Sequence, residues 1–179
     1  TFLTSYGTNN LGFSRTMILG FGMIAAVVLS VVTATSAILS DRFGRKKVIA
    51  LSYVGAFIWA LVLFPLLDTG KPIAFLIGVT VTLSLYGMSN GPAGALLPEM
   101  FQSRFRYTGA GLSYNLGGII GGAIPPILAA QIVAHHSSIW VGVLLAGLSA
   151  VSLLCVLALP ETKDNDLEDA PRSMTSSTQ

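Results

Sequence analysis

The chain has 179 residues, of which 53% are hydrophobic and only 10% are charged, and its formal net charge is +2. An ordinary soluble domain carries about 25% charged residues, so this composition excludes one and indicates a membrane protein. The small net charge gives no indication of a nucleic-acid partner, and we expect none.

Cysteine and histidine give little sign of metal chemistry. Cys155 is the single cysteine and lies in an apolar run, which excludes a disulfide within the chain and a metal site built from cysteine alone. His135 and His136 stand in a short loop without a neighbouring acid or cysteine. We therefore expect a solvated histidine pair, with no metal site and no other cofactor.

Five stretches without Asp, Glu, Lys or Arg determine the expected architecture. They are residues 16–40, 48–67, 73–98, 107–134 and 139–159. Each reaches or exceeds the roughly 20 residues that a helix needs to cross a bilayer. Backbone groups need internal partners in lipid and strand-like alternation is absent, so the prediction is an all-α integral membrane protein.

The ends of the chain complete this expectation. Thr1–Tyr6 has the pattern of the last turns of a sixth helix, and the chain starts without methionine, so we expect a fragment. The bundle is assigned to residues 1–160, and the polar, acidic segment 161–179 is expected to be a disordered tail. Ser14 and Ser138 are predicted helix caps, Pro72 is expected in a first helical turn, and Pro160 is expected to end the last span.

The basic residues predict an orientation. One side of the membrane receives eight Lys and Arg residues, namely Arg42, Arg45, Lys46, Lys47, Arg104, Arg106, Lys163 and Arg172. The other side receives only Arg15 and Lys71. Because short loops rich in Lys and Arg remain in the cytoplasm, the first side and the C-terminus are predicted to be cytoplasmic in a multi-pass plasma membrane protein.

The most charged stretch is SDRFGRKKV, residues 40–48. Topology alone explains its basic residues but does not require the carboxylate of Asp41 at the end of an apolar span. Gly44 permits a tight reversal between two helices. We predict that Asp41 makes an ionic or helix-terminus contact that breaks when helices move; the alternative is a loop that only sets topology.

Two segments resemble a known group of proteins. AILSDRFGRKK, residues 37–47, resembles the cytoplasmic signature loop of the major facilitator superfamily, although Ala37 replaces its leading glycine. Residues 96–129 resemble the loop between helices 10 and 11 and helix 11 of the metabolite:proton symporter family within that superfamily. Residues 159–163, LPETK, are similar to the end of helix 12 in the same carriers.

This resemblance implies both a fold and a function. The chain would be the C-terminal six-helix half of a twelve-helix bundle, with the end of helix 7 followed by helices 8 to 12. The function would be secondary active transport of a small polar metabolite, an organic acid or a zwitterionic osmolyte, coupled to protons. The implied partners are the metabolite, the proton, the bilayer and a missing N-terminal half, and the implied location is the bacterial inner membrane.

Two alternatives remain at this point. A multi-span membrane enzyme would need paired acids, a metal cluster or a nucleophile with a base, and the five spans hold no carboxylate or histidine away from the loop ends. We therefore expect no catalytic residues. A permease subunit of another kind of transporter is the second alternative.

The candidate residues fall into two groups. The expected cytoplasmic gating loop comprises Asp41, Arg42, Gly44, Arg45 and Lys46, with Glu99, Arg104 and Arg106 as a second ionic contact. The expected substrate cavity comprises Tyr86, Asn90, Tyr114, Asn115, Thr33 and Ser36, chosen because polar groups at membrane depth usually face the bundle interior.

Three further features are expected around the substrate path. Pro92 is predicted to break its helix close to Tyr86 and Asn90. Tyr6, Asn9 and Asn10 are placed at the outer mouth. The small residues of GGIIGG, residues 117–122, are predicted to allow close helix packing.

Overall fold

The computed structural model describes residues 2–101, 105–135 and 137–159. Every regular element in these residues is an α-helix, and there are six: α1 (Phe2–Asn9), α2 (Arg15–Phe43), α3 (Arg45–Leu67), α4 (Pro72–Glu99), α5 (Arg106–His135) and α6 (Ile139–Ala158). The five helices from α2 to α6 are long and apolar enough to cross a membrane. The predicted all-α, multi-pass membrane architecture is confirmed.

The helix boundaries follow local chemistry with one exception. Ser14 caps α2 by accepting a hydrogen bond from the Met17 amide at 3.3 Å, and Pro72 is the first residue of α4, as predicted. The cap predicted at Ser138 is wrong, because its side chain does not cap α6 and donates a hydrogen bond to Asp68 instead. The predicted tail, 161–179, and the predicted stop at Pro160 lie outside the described residues.

The long helices run antiparallel between two ends of the bundle. Gly44 alone joins α2 to α3, and its φ of 99° lies in a region that residues with a Cβ rarely adopt. We call this the Gly44 end; it also holds the end of α4, the start of α5 and the end of α6. The opposite end, called the Asp68 end, holds the α3–α4 loop and the residues just before α2 and α6.

Packing is uneven around the bundle. Helix α2 packs along α4, and α3 packs along both α4 and α6. Helix α5 makes few contacts with its neighbours, and Ala129 is its one buried residue in the described chain. The core cluster lies toward the Asp68 end and contains Tyr6, Ile18, Leu63, Phe64, Leu67, Phe75, Ala129 and Val141.

Two glycines of α4 lie at a close contact between α2 and α4. A Cβ added at Gly87 would lie 2.7 Å from the Thr33 Oγ1, and one added at Gly91 would lie 2.5 Å from the Thr33 carbonyl oxygen. The Ser36 hydroxyl bridges the same contact by donating to the Gly87 carbonyl oxygen at 3.3 Å. The absence of side chains at these two glycines therefore lets α2 and α4 approach closely.

One expectation about helix geometry is wrong for this chain, and a second finds no partner among the described residues. Helix α4 continues without interruption through Pro92, which is buried, so the predicted break does not occur. The four glycines of GGIIGG are exposed, and no described group lies within 4 Å of a Cβ added at any of them. Within the described residues Gly87 and Gly91 form a close helix contact, and close packing of GGIIGG against another partner stays a prediction.

Candidate functional site

The charged residues at the Gly44 end form a cluster of three side chains, Asp41, Arg45 and Glu99, called here the Arg45 cluster. Arg45 is the first residue of α3, and its guanidinium pairs with Glu99 at the end of α4. The other Arg45 amino group lies 3.7 Å from the Asp41 carboxylate in the last turn of α2. One guanidinium therefore links the ends of three helices.

The two carboxylates of the Arg45 cluster differ in environment. The Asp41 side chain is 68% exposed, whereas those of Arg45 and Glu99 are 18% and 21% exposed. Water screens the Asp41–Arg45 pair, which contributes little to stability. The Arg45–Glu99 pair is better shielded, so it is the stronger of the two ion pairs. It connects the signature loop to α4.

The remaining residues of the predicted gating loop occupy different positions. The Lys46 ammonium donates to the carbonyl oxygens of Leu157 and Leu159 at 2.6 and 2.7 Å, which ties α3 to the end of α6. Arg42 is exposed, while Arg106 begins α5 with its Nε buried and without a hydrogen-bond partner among the described residues.

The second ionic contact predicted around Glu99 differs from the observed one. Glu99 pairs with Arg45, and no ion pair between Glu99 and Arg106 occurs in the described chain. Arg104 lies outside the described residues. Sequence reasoning could not separate these partners because it does not specify which helix ends become neighbours.

Two of the predicted cavity residues meet, one from α4 and one from α5. The phenol of Tyr86 interacts with the phenol of Tyr114, and both side chains are more than half exposed. Asn115 is also exposed, and its amide donates to the Gly111 carbonyl oxygen of its own helix at 2.8 Å. Asn90 is partly buried on α4, one turn beyond Tyr86.

Thr33 and Ser36 lie elsewhere, in the close contact between α2 and α4. Thr33 donates to the Leu29 carbonyl oxygen at 2.8 Å, and Ser36 is buried. Their hydroxyls thus bond to backbone groups, as is common for Ser and Thr within helices. The structure does not bring Thr33 and Ser36 together with Tyr114 and Asn115.

A cavity of about 270 Å³ lies at mid-span between α3, α4 and α6. Tyr86 lines it, together with Trp59, whose indole N–H donates to the Thr82 hydroxyl at 3.0 Å. A second cavity, of about 460 Å³, lies between α1 and α5, and Tyr6, Asn9 and Asn10 line it. These three residues thus share one cavity at the Asp68 end, and their position at the outer mouth stays a prediction.

Sequence reasoning missed a polar contact at the Asp68 end. The Asp68 carboxylate accepts hydrogen bonds from the Tyr6 and Ser138 hydroxyls, each at 2.5 Å. Asp68 directly follows an apolar span, as Asp41 does. That shared position is the sequence feature from which a contact at Asp68 could have been predicted. No group of three or more potential metal-binding side chains occurs in the part of the chain that the structure describes.

Comparison with known proteins identifies the family to which the sequence is similar. The family model described as "Sugar (and other) transporter" matches residues 1–174. The inner membrane metabolite transport protein YhjE of Escherichia coli is 36% identical over 93% of this chain. The shikimate transporter of E. coli is 29% identical over 86% of the chain, and its proline/betaine transporter is 24% identical over 95%.

These relatives are longer than the chain and are named as transporters. The chain spans 38% of YhjE, 36% of the shikimate transporter and 34% of the proline/betaine transporter. No solved structure matches it. The transporter names disfavour the membrane-enzyme alternative. The chain belongs to the sugar (and other) transporter family of the major facilitator superfamily.

Proposed function

We propose that this chain forms the C-terminal half of a secondary active carrier that moves a small polar metabolite together with protons. The family match over residues 1–174 is the observation that supports this most strongly. The names of the relatives, which include shikimate and proline/betaine transporters, favour an organic acid or a zwitterionic osmolyte as the substrate.

A complementary N-terminal half would be the main protein partner. The chain spans little more than a third of the relatives' length, and α5 has few contacts with the rest of the chain. Carriers with two halves bind substrate near the bilayer midplane and expose it alternately to each side. Helix α5 would then face the second half across the substrate path.

The Arg45 cluster supports a gating role for the signature loop. It joins three helix ends through charged groups at the membrane edge, where a change in helix position would separate them. The exposed Asp41 would contribute to the balance between transport states, and the shielded Arg45–Glu99 pair would hold α3 and α4 together. The excess of Lys and Arg at this end supports a cytoplasmic position for it in a bacterial inner membrane protein.

The substrate site would include Tyr86 and Tyr114, with Asn90 and Asn115 beside them. The phenols of Tyr86 and Tyr114 meet across α4 and α5, and Asn115 is on the exposed face of α5. These neutral hydrogen-bonding groups suit a small polar solute. Thr33 and Ser36 would contribute less, because their hydroxyls are engaged between α2 and α4.

Reconstitution in proteoliposomes tests the proposal. The purified chain is reconstituted alone and with a matched N-terminal half, and uptake of labelled shikimate, proline and glycine betaine is measured under an imposed proton gradient. We expect gradient-driven uptake only when both halves are present. Uptake by the chain alone would contradict the half-carrier assignment, and uptake by both halves without response to the gradient would contradict proton coupling.

A further inference from the structure

Two backbone carbonyl groups at the centre of α5 lack the hydrogen-bond donors that an α-helix normally supplies. Each carbonyl in an α-helix accepts from the amide four residues further on, and proline has no amide hydrogen. Pro125 stands four residues after Gly121, and Pro126 stands four residues after Gly122. Pro125 also stands three residues after Gly122, so the tighter 3₁₀ pairing gives that carbonyl no donor either. Helix α5 thus carries two adjacent carbonyl oxygens without their helical donors.

The two carbonyls are also accessible and lie at membrane depth. Gly121 and Gly122 are exposed residues at the midpoint of the 30-residue helix. No described atom lies within 4 Å of a Cβ added at either glycine, and the missing side chain opens the backbone to close approach by a ligand. Among the described residues, no hydrogen bond from outside α5 reaches either carbonyl. Because lipid tails offer no donor, such groups are tolerated at this depth only against protein or beside a polar cavity.

A polar cavity adjoins this carbonyl pair. The ring of a proline crowds the carbonyl four residues before it, and Pro126 lines the cavity of about 460 Å³ between α1 and α5. This volume falls within the roughly 300–1,000 Å³ of small-molecule sites. Asn9 and Asn10 line the same cavity, and their side-chain amides donate, whereas the glycine carbonyls only accept. The two kinds of group match the carboxylate and the ammonium group of a zwitterion.

We propose that the carbonyl oxygens of Gly121 and Gly122 bind the ammonium group of a zwitterionic substrate, which carries N–H donors as a primary or secondary amine does. This inference deepens the proposed function and rests on it, because carriers of that kind bind substrate near the bilayer midplane. Gly121 and Gly122 lie at the midpoint of their helix, two turns along α5 from Tyr114 and Asn115. A solute on this face of α5 therefore meets the phenol, the amide and the carbonyl pair.

The chemistry of the carbonyl pair favours an ammonium group over other ligands. A secondary ammonium has two N–H groups for two acceptors, and hydrogen bonds from a charged donor are roughly twice as strong as neutral ones. A bare alkali cation needs a ring of oxygens to replace its hydration shell. An organic acid without an ammonium group would bring negative charge toward the partial negative charge of unpaired carbonyls.

Carbonyl NMR of the complete carrier tests the proposal directly. The chain contains two Gly-Gly peptide bonds, Gly117–Gly118 and Gly121–Gly122. Glycine labelled at its carbonyl carbon and its nitrogen, in this half alone, therefore gives two carbonyl-to-nitrogen signals. Gly117 is the internal control, because the Gly121 amide stands four residues after it. We expect L-proline to shift the Gly121 carbonyl signal but not the Gly117 signal. Glycine betaine, which has no N–H group, should shift neither.

Replacing both prolines restores the helical donors without adding a polar side chain. In the Pro125→Ala/Pro126→Ala carrier, the Gly121 signal should lie at a hydrogen-bonded position before any ligand is added. L-proline should bind about tenfold more weakly, as expected for loss of a hydrogen bond to a charged group. Pro65→Ala is the matched control, because it removes an exposed proline from inside α3 and should leave the affinity for L-proline unchanged.

A series of ligands separates the N–H groups from the rest of the molecule. L-proline, N-methyl-L-proline and N,N-dimethyl-L-proline share a ring and a carboxylate but carry two, one and no N–H groups. Affinity for the unsubstituted carrier should fall in that order. The Pro125→Ala/Pro126→Ala carrier should lose this order, because its carbonyls already accept from their own helix. An equally steep decline in both carriers would assign the effect to the bulk of the methyl groups and overturn the proposal.

Other outcomes would also overturn the proposal while the carrier function stands. One is a Gly121 signal that shikimate or sodium chloride shifts and L-proline does not. Another is a hydrogen-bonded Gly121 signal as soon as the N-terminal half is added without ligand, which would show that the partner supplies the donors. Failure of gradient-driven uptake for every labelled probe would instead overturn the proposed function, and the response of the Gly121 signal to L-proline would still decide the binding site.

Discussion

The ammonium group of Lys46 lies 2.6 Å from the carbonyl oxygen of Leu157, so a side chain from the first turn of α3 caps the last turn of α6. The same group donates to the Leu159 carbonyl oxygen at 2.7 Å. Carbonyls at the end of a helix lack intrahelical partners and carry partial negative charge, which a lysine offsets. A basic residue expected to set topology thus also holds two membrane helices together.

Replacing this lysine should therefore lower stability. Lys46→Met keeps a side chain of similar length but removes both hydrogen bonds. We expect a loss of about 1 to 2 kcal/mol in the free energy of unfolding. Lys47→Met is the matched control, because Lys47 is exposed. Unfolding in mixed micelles measures both variants, and equal stability of the two would contradict the capping role of Lys46.

The contact between α2 and α4 makes a second prediction. Gly91→Ala would place a Cβ 2.5 Å from the Thr33 carbonyl oxygen, a backbone atom that cannot move alone. We expect a loss of about 1 to 3 kcal/mol from overpacking. Gly94→Ala, on the same helix, has no described atom within 4 Å of the new Cβ and should leave stability nearly unchanged. Similar melting behaviour of the two variants would disprove the close contact.

The unequal exposure within the Arg45 cluster predicts unequal effects. Glu99→Gln removes the shielded partner of Arg45 and should cost about 2 kcal/mol in the free energy of unfolding. Asp41→Asn removes only the exposed pair and should cost about 0.5 kcal/mol or less. In the complete carrier, however, Asp41→Asn should reduce the transport rate more than substrate binding.

Stability and transport assays on both variants provide the check. If Asp41→Asn changes neither the transport rate nor the distribution between inward-open and outward-open forms, the loop serves topology alone. If Glu99→Gln is no less stable than Asp41→Asn, the shielded pair does not hold α3 to α4.

The predicted substrate site can be tested through Asn115. Its amide lies at membrane depth on the exposed face of α5, where its carbonyl oxygen is a candidate contact for a polar solute. In the complete carrier, Asn115→Ala should weaken binding of the transported probe about tenfold, which corresponds to loss of one hydrogen bond to a charged group. Ser137→Ala, in the loop before α6, should have no effect. Equal, small changes in affinity would remove Asn115 from the site.

The sequence predicted the spans and the Gly44 turn because each depends on local constraints. Lipid requires about 20 apolar residues for each crossing, and a one-residue connection between helices requires glycine at a positive φ. The partners of the charged groups were harder to predict. Tyr6 and Asp68 are 62 residues apart, and Lys46 and Leu157 are 111 apart, so these pairs depend on which helices become neighbours.

The glycines of α5 give the contrasting case. GGIIGG has the spacing of a packing motif, but its sequence does not say whether the partner belongs to the same chain. Within the described chain a close contact between α2 and α4 uses Gly87 and Gly91, whose pattern G-x-x-x-G is equally visible in the sequence. The spacing of the glycines identified two helix faces that permit close approach. The fold was needed to show that the α4 face packs within the described chain while the α5 face is exposed.

The exposed glycines of α5 make the last prediction, which rests on the half-carrier proposal. Helix association in lipid depends on close packing between helices, since lipid tails are as apolar as leucine. Gly118→Leu introduces a large side chain where no described atom lies within 4 Å of the new Cβ, so the chain itself should remain stable. The same side chain should prevent a second half from approaching α5, and we expect at least a tenfold loss in association.

Gly147→Leu on α6 is the matched control, because Gly147 is also exposed and has no described atom within 4 Å of an added Cβ. It lies on a helix that packs mainly against α3 and is not expected to face the second half. Association of the labelled halves in nanodiscs is measured by energy transfer. Contact through the glycine face of α5 would place the new leucine of Gly118→Leu against the partner helix. If the Gly118→Leu and Gly147→Leu variants associate with the N-terminal half equally well, that face is therefore not the interface.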